Sequence, residues 1–274
     1  MHPNCRSTTQ LVLDSDDIKE EQSNNPEKPK SSSKKDTSEN EKPVLVETGK
    51  QKKGSKIPAE YIPFKNIKDA EEFALKNGVK YVDYTKMSLE QANEINKALL
   101  TIPINFRPSI IFDMKTAYKT EFIPKAQQRK IKASYGVCRQ ILGYNPQILN
   151  NINLKDELYY RHGIAYNTNN YKTFDALTKA KIENNKLYTQ KYGSRYNFNL
   201  DGRATIYHEI AHCYANNYKI PDGFDILAKK WYDETKIGQI KTINEAWAEA
   251  FAAYQIGNKE LPDYIHHFMK GVKL

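Results

Sequence analysis

Apolar residues are sparse and unpatterned up to about residue 58 and recur with regular spacing beyond it. In the second part, the spacing predicts a helix over Asp69–Lys76 that stops at Asn77-Gly78, then a strand over Val79–Tyr84. Ser88-Leu-Glu-Gln91 has the form of a capping box, and the helix behind it is expected to run to about Leu100. Ser109–Phe112 and Gly163–Asn167 read as short strands. Residues 125–142, rich in Lys, Arg and Gln, read as helical. Further helices are expected over Phe174–Tyr188, Ala204–Asn217, Phe224–Glu234, Ile243–Ile256 and Pro262–Met269. No internal repeat is visible. The order of elements gives a mixed α+β domain with a small N-terminal mixed sheet and a helical C-terminal half.

Composition sharpens the boundary. All 31 aromatic residues of the 274-residue chain lie beyond residue 58. Residues 1–58 are polar and punctuated by proline, as in the run Pro26–Asn40, and cannot bury enough apolar surface to offset chain entropy. They are expected to form a disordered charged arm, on which an unknown partner can dock. Residues 59–274 are expected to form one folded domain with a substantial core. The net charge is +9, of which +8 falls on that domain. A basic run, Lys125-Ala-Gln-Gln-Arg-Lys-Ile-Lys132, raises the question of nucleic acid, but no nucleic-acid motif accompanies it and a solvated helix face explains it better. Cys5, Cys138 and Cys213 are too few and too scattered for a disulfide framework or a cysteine zinc site. No stretch is apolar for the roughly 18 residues that a membrane span needs. No basic-then-apolar leader opens the chain, so a cytoplasmic, virion-associated or leaderless exported protein is expected.

The chemistry concentrates in Ala204-Thr-Ile-Tyr-His208-Glu209-Ile-Ala-His212-Cys-Tyr, which contains the pattern HExxH. At about 100° per residue, His208 and His212 lie roughly 40° apart on one helix face, where two imidazoles can bind one zinc ion. Glu209 is placed to take a proton from water at the metal's open position. Ile206, Ile210 and Cys213 are left for the core. A third protein ligand is needed. The extended pattern HExxHxxGxxH fails, because Ala215 and Tyr218 occupy the Gly and third His positions. A later helix offers Glu245 and Glu249, four residues apart on one face of an alanine-rich run. One of them can bind the metal while the other accepts a hydrogen bond from a ligand histidine. Thr242-x-x-Glu245 is equally a capping-box pattern.

His208-Glu209-x-x-His212 followed by Asn244-Glu245-x-x-x-Glu249 resembles the gluzincin metallopeptidases. Glu245-Ala-Trp-Ala-Glu249-Ala-Phe251 looks most like the anthrax lethal factor and clostridial Pro-Pro endopeptidase group, and related zincin-like domains occur in minor head proteins of phages and mobile elements. The resemblance covers about residues 200–260. It implies a zincin-like fold, one Zn²⁺ per chain held by His208, His212 and Glu245, Glu209 as general base, and Glu249 orienting a ligand histidine. In the lethal-factor group a catalytic tyrosine stands seven residues before the third ligand, a position filled here by Gly238. Candidates to stabilise the transition state in its place are His162, Tyr254, Tyr232 and the pair His266-His267. In zincins an edge strand beside the motif helix receives the substrate, a role that Gly163–Asn167 can supply.

The expected function is therefore zinc-dependent hydrolysis of peptide bonds in a protein or peptide substrate. The alternative is a phage or mobile-element structural or morphogenesis protein whose zincin-like module performs little or no catalysis.

Overall fold

The mixed α+β expectation holds in the computed structural model, which describes residues 61–119, 135–140, 162–168, 170–217 and 219–272. The described chain is mostly helical and belongs to one compact unit. The arm expected over 1–58 lies outside the described residues.

Helix α1 (Ile67–Lys76) begins where the Asn66 side chain accepts a hydrogen bond from the Asp69 N–H. It ends at Asn77, followed by Gly78 with φ +96°, a backbone region that favours glycine. Strand β1 spans only Tyr81–Val82, shorter than expected, because the chain turns away at Tyr84, whose N–H donates to the Glu71 carboxylate. The capping box at Ser88 and Gln91 is formed, both reciprocal hydrogen bonds being present at the start of α2 (Leu89–Leu99). That helix is the crossover that lets β1 and β2 (Ile110–Asp113) pair in parallel. A short helix α3 (Met114–Lys119) follows, unforeseen in the periodicity.

Two further strands, β3 (Gly136–Gln140) and β4 (His162–Tyr166), complete a sheet of order β1-β2-β4-β3. β1, β2 and β4 are parallel, and β3 pairs antiparallel to β4 from Gly136↔Tyr166 to Gln140↔His162. This corrects the helix expected over 125–142, of which 136–140 is strand, Tyr135 is a bend leading into it, and the remainder lies outside the described residues. Pairing with β4 is a non-local interaction that outweighs the local helical preference of the flanking sequence.

The helical half comprises α4 (Phe174–Tyr192), α5 (Ala204–Asn217), α6 (Phe224–Thr235), α7 (Ile243–Ile256) and α8 (Asp263–Gly271). Helix α5 packs against β3 and β4 on one side and against α7 on the other. α6 and α8 lie against α7. Ile206, Ile210 and Cys213 of α5 are buried as expected, together with Tyr207 and Tyr214. The facing helix buries Ala246, Ala248, Ala250, Ala252 and Ala253. These small residues let the two helices approach closely, so that side chains from one reach the polar atoms of the other. Tyr166 on β4 donates its hydroxyl to the Ile206 carbonyl (3.2 Å), and Tyr207 donates to Glu94 on α2 (2.7 Å). α5 is thereby tied to the sheet and to α2 at its N-terminal end.

Candidate metal centre

His208 and His212 project from successive turns of α5 and are buried. Their Nε2 atoms are 3.0 Å apart. From α7, the Glu245 carboxylate comes within 3.2 Å of His208 Nε2 and 3.7 Å of His212 Nε2. Ligands on a tetrahedral zinc with bonds of about 2.0–2.1 Å stand roughly 3.3 Å from one another. The imidazole pair and the contact of Glu245 Oε2 with His208 Nε2 lie near that edge, and the 3.7 Å approach to His212 Nε2 is made by the other carboxylate oxygen, Oε1. Two imidazole nitrogens and a carboxylate oxygen converging on one point form a donor set suited to zinc. Among the described residues these are the ones gathered in this way.

Thr242 caps α7 and accepts from the Glu245 N–H at 3.4 Å. The Glu245 side chain points to the histidines instead of closing the capping box. Its place in the first turn also sets a carboxylate at the favourable end of the helix dipole. The second glutamate takes the other side of the same ring: His208 Nδ1–H donates to Glu249 Oε1 at 2.6 Å. Because an ionised carboxylate only accepts, this bond fixes the proton on Nδ1 and turns Nε2 toward the metal position. Glu249 is held in turn by Asn199, whose backbone N–H (3.1 Å) and side-chain Nδ2 (2.6 Å) both donate to Oε2. The alternatives left open between the two glutamates thus divide by geometry, Glu245 toward Nε2 and Glu249 toward Nδ1.

The electrostatics are those of a site built for a cation. Burial disfavours a charge on His208, yet hydrogen bonds and attraction from Glu245 and Glu249 outweigh it and hold the imidazole up to about 10. Burial likewise raises Glu245 and Glu249, and the histidines facing each pull both below the usual carboxylate range. In the metal-free protein a proton on His208 therefore does part of what a metal ion would do.

Glu209 is fully buried on the sheet side of α5, against the first residue of β3. A methyl group at Gly136 would lie 2.9 Å from both Cγ and Oε1 of Glu209. Glycine is what permits this approach of strand to carboxylate. Gly136→Ala is expected to displace the Glu209 carboxyl while leaving zinc affinity unchanged, and a displacement near 1 Å costs on the order of 10²-fold in turnover. Zinc titration and cleavage rates measured on the same sample check this; equal turnover would show that Glu209 tolerates displacement.

The other sequence candidates are placed elsewhere. His162 opens β4 at its far end, four residues or roughly 13 Å along the strand from Tyr166, whose partner Gly136 abuts Glu209. Tyr254 lies nine residues after Glu245, about half a turn around α7, where it packs against His266 of α8 with ring centres 5.3 Å apart. His266 and His267 are exposed. Tyr232 on α6 sits beside Lys236, whose ammonium is 5.2 Å from the ring centre. Gly238 is closed to a larger residue, since a side chain there would meet Tyr188 and Tyr196 at 2.8 Å. The strand proposed to receive substrate is also corrected: β4 is flanked by β2 and β3 and has no free edge, whereas β3 is the last strand of the sheet on this side among the described residues.

Asn199, Gly136 and the buried Lys181 near Glu249 escaped the sequence reading. The one signal for Asn199 was its place in the alternation Asn197-Phe-Asn199 just ahead of the motif helix. Compared with protein-family models, with curated proteins and with solved structures, the chain matches none, so the case for its chemistry rests on the side chains themselves.

Proposed function

We propose that this protein is a zinc-dependent endopeptidase of the gluzincin type, built on a zincin-like domain. The observation that carries the reading is the convergence of His208 Nε2, His212 Nε2 and the Glu245 carboxylate within zinc-binding reach of one another, with Glu209 next in sequence to His208 on the same helix. His208, His212 and Glu245 hold the ion. When bound, zinc supplies Lewis-acid polarisation of a carbonyl and lowers the pKa of water toward about 7.

Glu209 accepts the proton of the attacking water and delivers it to the leaving amine. Its burial keeps bulk water from competing for that proton. Glu249 fixes the tautomer and ring orientation of His208. Among the described residues no strand pairs with the outer side of β3, which can offer backbone N–H and C=O groups to an extended peptide; its first residue abuts Glu209, so a peptide laid there passes the general base.

The test is zinc content of purified wild type beside Glu245→Ala, with both samples incubated with a mixed peptide library. One zinc per chain together with cleavage, both lost in the variant, is the expected result. Wild-type protein without zinc would reject the metal centre. Zinc without cleavage of any library member would reject the peptidase and leave the alternative of a catalytically silent module.

A further inference from the structure

The inward face of α4 changes character after its first turn. Phe174 and Leu177 are followed by Lys181, Asn184 and Asn185, all buried. Such groups are stable inside a protein only with partners. The segment 196–201, between α4 and α5, supplies those of Lys181 and Asn185. Asn185 Oδ1 accepts from the N–H groups of Tyr196 (3.0 Å) and Asn197 (2.5 Å), and its Nδ2 donates to the Asn197 carbonyl (2.9 Å). Asn197 Nδ2 donates to the Lys181 carbonyl at 3.3 Å. The Lys181 ammonium, 1% exposed, donates to the Asn199 carbonyl at 3.2 Å and reaches the Asp201 carbonyl at 3.5 Å. Asn199 is also the residue that grips Glu249, and its Oδ1 accepts from Asn258 at 2.8 Å. A continuous chain of hydrogen bonds runs from Lys181 through Asn199 and Glu249 to His208.

Charge counting gives this chain a purpose. Glu209, Glu245 and Glu249 place three carboxylates in and around the centre. A divalent ion with two neutral imidazoles offsets two of them. The third requires a buried cation, and an uncompensated buried charge is strongly destabilising. Burial lowers the Lys181 pKa, and attraction from Glu249, Asp201 and Glu209 offsets only part of that fall. Neutral carbonyls alone would be a poor reason to bury an ammonium group.

We infer that Lys181 is a positioning residue for the metal centre: its ammonium anchors the Asn199 carbonyl and provides the counter-charge that keeps Glu249 seated on His208. The inference rests on the zinc reading above. It assigns Lys181 no contact with substrate, and its effect is transmitted through Glu249.

The test is a double-mutant cycle on zinc affinity, titrating zinc alone into metal-free wild type, Lys181→Met, Glu249→Gln and the double variant. Lys181→Met is expected to weaken zinc about tenfold, as loss of a supporting partner does. In the Glu249→Gln background, where the carboxylate it serves has lost its charge, the same change is expected to add less than about twofold. A lysine with a merely structural role would cost the same in both backgrounds, and that result overturns the inference. Wild-type affinity in Lys181→Met overturns it as well. If Lys181→Met does not fold, Lys181→Gln keeps a donor for the Asn199 carbonyl without the charge; weakened zinc supports the inference and unchanged zinc overturns it. Wild-type protein that takes up no zinc rejects the metal reading and this inference together. Zinc-loaded wild type with additive variants rejects this inference alone.

Discussion

Glu209→Gln is expected to bind zinc as tightly as wild type and to lose hydrolysis by at least about 10²–10⁴-fold, the usual worth of a general base. The side chains differ by one atom and have nearly the same shape, so the packing of residue 209 against Gly136 is preserved. Glu209 is not one of the converging donors, which are His208, His212 and Glu245. An amide cannot take a proton from water at neutral pH, so the loss falls on kcat. Metal analysis and single-turnover cleavage of one preparation separate the two effects. Full-rate cleavage by Glu209→Gln would remove the general base from the mechanism, and loss of zinc would place Glu209 among the ligands.

His208→Ala is expected to lose both zinc and stability. His208 contacts both α7 carboxylates, Glu245 at Nε2 and Glu249 at Nδ1. Its removal leaves the buried Glu249 and the partly buried Glu245 facing a cavity. Removing one partner of a buried ion pair typically costs about 3–5 kcal/mol. Urea unfolding of metal-free wild type and variant measures the cost. The pH dependence has a definite sign. The folded-state pKa of His208, held up to about 10, lies above the ordinary 6.5. Its charge therefore contributes stability that is fully present below about pH 6.5 and is lost as the pH rises through about 10. The deficit of His208→Ala should shrink in alkali. A deficit independent of pH between 6.5 and 10 would show that His208 contributes through packing alone.

The motif helix and the alanine-rich helix were legible because their information is local. HExxH sets its spacing within a single helix, and Glu245 and Glu249 share a face for the same reason. The spacing alone left open which glutamate meets which ring nitrogen, since that depends on how α5 and α7 are set against each other; the family resemblance assigned Glu245 to the metal and Glu249 to a ligand histidine. The run at 125–142 shows the opposite failure. Its Lys, Arg and Gln content favours helix, but Gly136–Gln140 is held as a strand by β4, residues that begin more than twenty positions later. The sheet order was hidden for the same reason, and with it the interior position of β4 between β2 and β3. Lys181 was invisible because a lysine in a helix is ordinarily solvated. Only the carbonyls of Asn199 and Asp201, brought over from the following segment, give it a reason to be inside.

Ala246 to Ala253 of α7 are buried without a break. A helix enclosed on every side cannot release its amide hydrogens by local fraying, so this stretch exchanges with solvent only when the whole unit opens. Glu249 sits within it. Glu245 belongs to the helix's first turn, where the neighbouring Ile243 and Asn244 are exposed. The centre is therefore gripped with unequal tenacity along one helix. Fraying of a single turn at Glu245 would open a path for a bound ion, and the off-rate of zinc is expected to follow that turn instead of the lifetime of the fold.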